Sequence, residues 1–257
     1  MRAIDLSGKN ALVLGVANQR SLAWAIADAL GEAGCQLAFT YQGERQQRNV
    51  SRLAERYPDA PLMACDVNSD DQVEGVFARV EREFGKLDIL VHSIAYARRE
   101  ELEGEFIKTG LQGWRVAMEI SAYSFIKLAN HAAPLMKDGG SMLALTYLAS
   151  QRVVPKYNIM GTAKAALEHS VRQLASELGP KDIRVNAISA GPISTLSARG
   201  ISGFSNMATH HRRHAPLRRN IKGREVGDAG LFLCSEMGSG ITGEIMFVDA
   251  GYNIMAI

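Results

Sequence analysis

Short apolar runs alternate with longer amphipathic segments along the whole chain, and this alternation limits the possible folds most strongly. The apolar runs are nearly continuous, as in parallel strands covered by helices on both faces. They are Asn10–Leu14, Gln36–Tyr41, Pro61–Cys65, Leu87–His92, Ser141–Thr146, Arg184–Ile188 and Glu244–Val248. Helical spacing marks the intervening segments Leu22–Ala33, Arg45–Tyr57, Asp70–Phe84, Leu111–Met136, Asn158–Leu178 and Glu225–Ser235. The order predicts an α/β, doubly wound (Rossmann-like) fold with a seven-stranded parallel sheet.

The chain is predicted to form a single domain over residues 1–257. With 257 residues it is long enough for one large α/β domain, and no linker, repeat or low-complexity stretch divides it. The rhythm breaks only between Ile193 and Arg219, which is too long for an ordinary connection. Loops of this length are usually lids or disordered segments.

Charge and cysteine content exclude several classes of function. A net charge of +2 is too small to indicate nucleic-acid binding. Cys35, Cys65 and Cys234 are far apart in apolar surroundings and are interpreted as buried free thiols of a reducing compartment. No apolar run approaches the length of about 18 residues that a membrane span needs, so a cytoplasmic location is expected. The histidines show no metal-ligand spacing, and the group His210, His211 and His214 is expected at the surface.

Two tyrosines and a lysine form the strongest chemical pattern. Lys164 follows Tyr157 by seven residues, which is almost two helical turns, so both side chains leave the same face of a helix. Tyr147 lies just upstream. A phenol near a fixed cation is a good donor to an oxygen that gains negative charge. By themselves, such residues are more commonly a surface lysine and a tyrosine stacked on the core.

The first strand leads into Gly15-Val-Ala-Asn-Gln-Arg-Ser21-Leu22, where a dinucleotide fold holds its phosphates on backbone amides. The usual G-x-G-x-x-G is absent, so a plain strand–helix turn is the alternative. Gln42 follows the second strand and could bind a ribose diol. Glu44 opposes a 2′-phosphate, whereas Arg45 and Arg48 favour one, and the balance indicates NADH with NADPH possible.

The third and fourth strands end in further candidate cofactor contacts. Asp66 and Val67 follow the third strand, where the carboxylate could meet an adenine amino group or simply cap the next helix. Ser93, Ile94 and Ala95 follow the fourth strand, and small residues in this segment would let a cofactor pass close to the backbone.

These motifs together resemble the short-chain dehydrogenase/reductase superfamily, and within it the enoyl-acyl-carrier-protein reductases of bacterial type II fatty-acid synthesis. The resemblance covers essentially the whole chain. It is carried by the segment Gly15–Leu22 and by His92-Ser-Ile-Ala95, Ser121-Ala-Tyr-Ser124, Leu145-Thr-Tyr147, Tyr157-Asn-Ile-Met-Gly-Thr-Ala-Lys164, Arg184-Val-Asn-Ala-Ile-Ser-Ala-Gly-Pro-Ile193, Gly243-Glu244 and Val248-Asp-Ala-Gly251.

Departures from the wider superfamily narrow the resemblance. Ordinary members carry the lysine four residues after the tyrosine, where this chain has Gly161, and a serine near the position of Ala144. The enoyl reductases instead have the wider tyrosine–lysine spacing seen here. Ser194 stands where many members have an arginine, and this difference would alter phosphate or lid contacts. Ala95 stands where many have a glycine, and this difference would narrow the pocket floor.

The resemblance implies hydride transfer from NADH to the C2–C3 double bond of a trans-2-enoyl thioester on acyl carrier protein, the last reductive step of a fatty-acid elongation cycle. Tyr157 would donate to the thioester oxygen, and Lys164 would hold the ribose hydroxyls. Tyr147 would line the acyl pocket or assist protonation. Met160 would be a pocket contact or core filler. The implied substrate contacts are Ala97, Tyr147, Tyr157 and Met160; the implied nicotinamide contacts are Pro192, Ile193 and Thr195.

The resemblance also gives roles to the long segment and to the surface. Residues 194–219 would be a helical substrate flap, and the basic cluster at 210–214 would steer the acidic carrier protein or be a solvated helix face. Family members are usually homotetramers, which makes the exposed face of Asn158–Leu178 and the tail Tyr252–Ile257 candidate interfaces.

Two other functions stay open at this level. One is a short-chain reductase acting on a ketone, and the other is a non-catalytic dinucleotide-binding sensor. The sequence does not decide acyl chain length, cofactor preference, oligomeric state or inhibitor sensitivity.

Overall fold

In the computed structural model, which describes residues 4–195 and 204–256, seven strands form one sheet. Every neighbouring pair is parallel. The predicted fold class is therefore confirmed. In chain order the strands are β1 (Asn10–Leu14), β2 (Gln36–Tyr41), β3 (Leu62–Ala64), β4 (Ile89–His92), β5 (Gly140–Thr146), β6 (Ile183–Ala190) and β7 (Ile245–Val248).

The strand order is β3-β2-β1-β4-β5-β6-β7, so the winding direction reverses between β1 and β4. These two strands are direct neighbours, with Leu14 opposite His92 at their carboxyl ends. In doubly wound sheets a ligand binds outside the carboxyl ends of the strands at such a reversal. The fold thus directs the search for a site to the segments that follow β1, β4, β5 and β6.

Helices cover both faces of the sheet. Their bounds are α1 (Leu22–Glu32), α2 (Glu44–Ala54), α3 (Asp70–Phe84), α4 (Arg99–Glu103), α5 (Leu111–Met118), α6 (Ser124–Ala132), α7 (Asn158–Leu178), α8 (Phe204–His214) and α9 (Gly223–Cys234). Apolar residues of α3, α6 and α7 pack in the core on one face, and those of α1, α2 and α9 pack on the other. No described helix is long and apolar enough to cross a membrane.

The predicted single helix over Leu111–Met136 is wrong, because the segment contains α5, a π-helical turn over Glu119–Tyr123, and α6. Ser124 Oγ donates to the carbonyl of Ile120 at 2.7 Å, and such side-chain bonds compete with the regular backbone ladder. The segment ends in a 3₁₀ turn at Pro134, which has no N–H to continue the helix. Because π-turns often occur at functional sites, this interruption bears on the site below.

Other differences concern the element ends. β6 continues to Ala190, two residues beyond the prediction, because Ser189 and Ala190 still pair with β7. The short helix α4 was not predicted. In the predicted flap, α8 accounts for part of 194–219, while residues 196–203 lie outside the described residues.

Candidate active site

The turn after β1 lies so close to the end of β4 that it has no room for a side chain. Gly15 has a φ of +96°, a conformation that residues with a Cβ rarely adopt. A Cβ at this position would lie 2.0 Å from the carbonyl oxygen of Ser93. The structure therefore brings together two of the predicted cofactor contacts, and only glycine fits the first of them.

The N-terminus of α1 follows this turn and has no side-chain cap. Ser21 Oγ donates to the carbonyl of Asn18 at 2.6 Å instead of accepting from a helix amide, and the first turn beginning at Leu22 carries no acidic residue. The positive end of the helix is therefore left for an external acceptor. A phosphate fits such an end.

A cleft of about 480 Å³ opens beside this helix end. Ser21 and Ile193, which belongs to the segment after β6, both line this cleft. Pro192 is buried next to Ile193, and Thr195 turns back to donate its N–H to the carbonyl of Ile193 at 2.7 Å. The residues lining the cleft include Gln19, Arg20, Ser21, Trp24, Ile193 and Ser194.

The ends of β2 and β3 lie farther along the same edge of the sheet. Gln42 is exposed just after β2. Asp66 accepts the N–H of Asn68 at 2.9 Å, so its carboxylate stabilises the local turn. Val67 is buried, and its carbonyl accepts from Lys127 at 3.1 Å, a contact that the sequence did not predict.

The segment after β4 is held by the π-turn. Ser121 Oγ accepts the N–H of Tyr96 at 2.9 Å and lies 3.1 Å from its carbonyl oxygen. These two contacts hold Tyr96 in place within the segment that contains Ile94, Ala95 and Ala97. Ser121 Oγ also lies 3.7 Å from the sulfur of Met160, which is buried. Met160 therefore packs between α7 and this segment.

Tyr147 and Tyr157 meet at the end of β5. Their rings are 5.1 Å apart in an edge-to-face arrangement. Burial raises the pKa of Tyr157 and raises that of Tyr147 to about 12, so both phenols keep their protons at neutral pH. Tyr147 Oη donates to the sulfur of Met207 at 3.2 Å, which places α8 directly against the tyrosine pair. The sequence gave no signal for Met207.

Lys164 lies on α7 behind the tyrosines and is buried. Its Nζ donates to the carbonyl of Leu145 at 2.7 Å, which leaves two further N–H donors. Desolvation lowers the pKa of Lys164 to about 8, against the opposing effect of the Glu168 carboxylate. Within the described residues no hydrogen bond joins Lys164 to Tyr157. The two converge on the same strand end without direct contact.

The expectation that the three clustered histidines lie at the surface is wrong for His211. His211 is 3% exposed, its Nδ1 lies 3.0 Å from Asn220 Oδ1, and its ring lies against Tyr252 with centroids 4.6 Å apart. Burial lowers the pKa of His211. His210 is exposed and stacks on His214 at 4.0 Å. His211 therefore lies on the buried face of α8. Arg212 and Arg213 are exposed.

The arrangement fits a dinucleotide. Any side chain at Gly15 would fill the turn, the uncapped helix end matches a pyrophosphate, and Ser21 and Ile193 both line a cleft beside that helix end. Among the described residues no group of three His, Cys, Asp or Glu side chains could hold a metal ion.

Comparisons with known proteins agree with this geometry. The family model described as enoyl-(acyl carrier protein) reductase matches residues 15–253. The enoyl-[acyl-carrier-protein] reductase [NADH] of Nostoc sp. is 47% identical over 99% of this chain and 100% of its own length. The protein of the same name from Bacillus subtilis is also 47% identical, over 98% of each chain.

Solved structures agree in the same way. The Bacillus cereus enoyl-acyl carrier protein reductase, crystallised with NADP⁺ and an indole naphthyridinone, superposes with a TM-score of 0.96 at 46% identity, covering 98% of this chain and 100% of that one. The Anaplasma phagocytophilum reductase in complex with NAD gives 0.94 at 44% identity, covering 98% and 96%. This chain belongs to the enoyl-(acyl carrier protein) reductase family of short-chain dehydrogenases.

Proposed function

We propose that this chain reduces the C2–C3 double bond of a trans-2-enoyl thioester carried on acyl carrier protein, with NADH as reductant. The observation that carries the proposal is the contact of Tyr147 with Tyr157 just after β5, together with the buried Lys164, whose ammonium binds a carbonyl of the same strand. This strand end lies on the edge of the sheet where Gly15 and α1 fit a dinucleotide.

Tyr157 is the proposed donor to the thioester oxygen. Reduction at the β-carbon moves negative charge onto this oxygen as an enolate, and a hydrogen bond aimed at it stabilises the transition state. Because burial raises the pKa of Tyr157, the phenol acts as a donor and not as a base. Removal of one such donor typically costs about 2.7–4 kcal/mol of barrier.

Lys164 is proposed to hold the ribose hydroxyls with the N–H donors that Leu145 leaves free. Its ammonium also places a positive charge near the developing enolate. The pKa of about 8 keeps most of it charged at neutral pH. When bound, the reduced nicotinamide supplies the hydride that adds to the β-carbon.

The remaining predicted contacts are proposed as follows. The pyrophosphate is held by the turn from Gly15 to Leu22, and the ribose and adenine by residues after β2 and β3. The proposed cofactor set is Gly15, Ser21, Leu22, Gln42, Asp66, Val67, Ser93, Ile94, Ala95, Pro192, Ile193 and Thr195. The acyl chain is proposed to pass between Ala97, Tyr147 and Met160, where the packing of Met160 against Ser121 is compatible with a pocket wall.

Residues 194–219 are proposed to form the substrate flap of a single domain spanning residues 1–257. The contact between Met207 and Tyr147 supports this, because it puts α8 over the tyrosine pair. Arg212 and Arg213, exposed on α8, are proposed to steer the acidic carrier protein.

Oligomeric state and location complete the proposal. A groove of about 410 Å³ between α5, α6 and α7 exposes Trp114, Tyr123 and Ile126, and we infer a subunit interface of a homotetramer there. Ile126→Lys should lower the mass measured by analytical ultracentrifugation.

The three free cysteines, all buried, favour the cytoplasm; fractionation of cells would check this.

The test is a comparison of substrates with the purified protein. Crotonyl-CoA with NADH should give butyryl-CoA, followed as loss of absorbance at the reduced-nicotinamide band, and NADPH should be slower. Acetoacetyl-CoA should not react. Reduction of the ketone alone would establish the rival reductase, and NADH binding without any turnover would establish a sensor.

A further inference from the structure

Glu168 is a buried carboxylate to which the proposed reaction assigns no role. It lies on α7, four residues and therefore about one helical turn after Lys164, so the two side chains share a face. Its exposed fraction is 3%, and that of Lys164 is 5%. Carboxylates are rarely buried to this degree unless they are hydrogen-bonded and near a compensating charge.

The hydrogen bond comes from the last residue of β5, which Tyr147 directly follows. Thr146 Oγ1 donates to Glu168 Oε1 at 2.7 Å. The preceding residue, Leu145, accepts from Lys164 at 2.7 Å. Two consecutive residues at the end of β5 therefore bind the carboxylate and the ammonium separately, on one face of α7, without a direct ion pair within 4 Å among the described residues. The next residue in the chain is Tyr147.

Two titratable groups of the described residues at this end of the sheet, His92 and Tyr157, carry no charge at neutral pH. From β4, His92 is fully buried, and its pKa is lowered to about 3 by burial and by the lysine charge. At the start of α7, burial raises the pKa of Tyr157, which keeps the phenol neutral. β5 contributes a carbonyl and a hydroxyl. Among these groups, Glu168 is the one that can supply negative charge.

We propose that Glu168 is a positioning residue that acts through Lys164: held by Thr146, it is the buried counter-charge that keeps the lysine protonated. Burial alone favours the neutral amine, because a charge without a partner is costly in a low-dielectric interior. The catalytic consequence rests on the function proposed above, whereas the electrostatic effect is a property of the protein without ligand.

The test measures the titration of Lys164 directly in the ligand-free protein. Lysine is labelled with ¹³C at Cε, and the signal of Lys164 is the one missing from Lys164→Met. Glu168→Gln keeps an oxygen for Thr146 but removes the charge. Its lysine midpoint should fall by at least about one pH unit, since an opposite charge at close range shifts a pKa by about 1–3 units.

Glu177→Gln is the matched control. It makes the same chemical change on the same helix, at an exposed position. Its lysine midpoint should equal that of the wild type. An unchanged midpoint in folded Glu168→Gln, or an equal shift in both variants, overturns the proposal. If Glu168→Gln does not fold, Glu168→Asp withdraws the charge by one methylene and should shift the midpoint in the same direction by less; no shift there also overturns it.

The kinetic readout separates this inference from the reductase function. In Glu168→Gln the basic limb of the kcat/KM profile for crotonyl-CoA should move down in pH by the same amount as the lysine midpoint. A wild-type protein that does not turn over enoyl thioesters contradicts the function but leaves the titration valid. An active wild type with an unshifted lysine in Glu168→Gln contradicts this inference alone.

Discussion

The two halves of the site use different chemical groups of the protein. On the side of β1 and α1, the contacts are made by main-chain atoms: the carbonyl of Ser93 against Gly15, and the uncapped amides of α1. On the side of β5 and α7, they are made by side chains: two tyrosines, a lysine, and a carboxylate held by a threonine. We expect the first half to bind a ligand shared by many enzymes and the second half to determine which reaction follows.

The largest effect should come from the main-chain half. Gly15→Ala places a Cβ into the Ser93 carbonyl and forces an unfavourable φ, at a cost of about 2–5 kcal/mol from overpacking and backbone strain together. We expect NADH affinity measured by calorimetry to be lost and the melting temperature to fall.

Gly8→Ala is the control for this substitution. Gly8 also has a positive φ, +77°, but a Cβ there meets nothing within 4 Å. It should therefore show only the strain cost of about 1–2 kcal/mol and should keep NADH binding. Equal losses in the two variants would show that the close approach to Ser93 is unimportant.

The side-chain half should fail in a different way. Tyr157→Phe should lower kcat by about 100–1,000-fold, because one donor to the developing oxyanion is lost. In Tyr157→Phe the affinity for NADH should be unchanged. Lys164→Ala should lower both kcat and the affinity for NADH. Steady-state kinetics with crotonyl-CoA and calorimetry with NADH measure the two effects. Undiminished turnover in Tyr157→Phe would remove the tyrosine from the reaction.

This division also explains what the sequence could predict. Tyr147, Tyr157 and Lys164 are recognisable because their chemistry depends on residue type and spacing. The turn at Gly15 gave a weak signal, because backbone amides can be supplied by almost any sequence. Glu168 was missed although it stands one turn from Lys164, because exposure cannot be read from a single glutamate on an amphipathic helix. His211 was placed at the surface for the same reason.

The element ends show the same limit. The strands were found from their apolar runs, and β1 and β2 were predicted to the residue. The π-turn was not predicted, because two of the bonds that accompany it are tertiary contacts: Ser121 bonds to Tyr96 after β4, and Ser124 bonds to His92.

A third prediction concerns His92, at the boundary between the two halves. Its folded pKa, lowered to about 3, lies below the unfolded value of about 6.5, so only the unfolded state takes up a proton between these values. The free energy of unfolding should therefore fall as the pH drops below about 6.5, by up to about 1.4 kcal/mol per pH unit from this residue. Urea unfolding at several pH values measures this slope.

His92→Gln is the corresponding control. Its side chain does not titrate in this range, so its stability should fall less steeply with acid than that of the wild type. Parallel pH profiles for the two proteins would show that His92 does not carry the acid sensitivity.

The smallest effect should come from the surface of α8. Charge reversal at Arg212 and Arg213 should raise KM for carrier-bound substrate by several-fold and leave KM for crotonyl-CoA unchanged, because exposed charges act mainly on encounter. The difference should shrink in high salt. Equal changes in both KM values would indicate that the cluster acts on the flap and not on the carrier protein.

The central claim is that enoyl reduction occurs at the tyrosine–lysine end of β5, and one isotope experiment tests it most directly. Crotonyl-CoA is incubated with NADH carrying deuterium at the transferred position, and the product is analysed by mass spectrometry and NMR. We predict butyryl-CoA with deuterium on C3, formed about 100–1,000-fold more slowly by Tyr157→Phe. Product without deuterium on C3, or equal rates for the two proteins, would contradict the account.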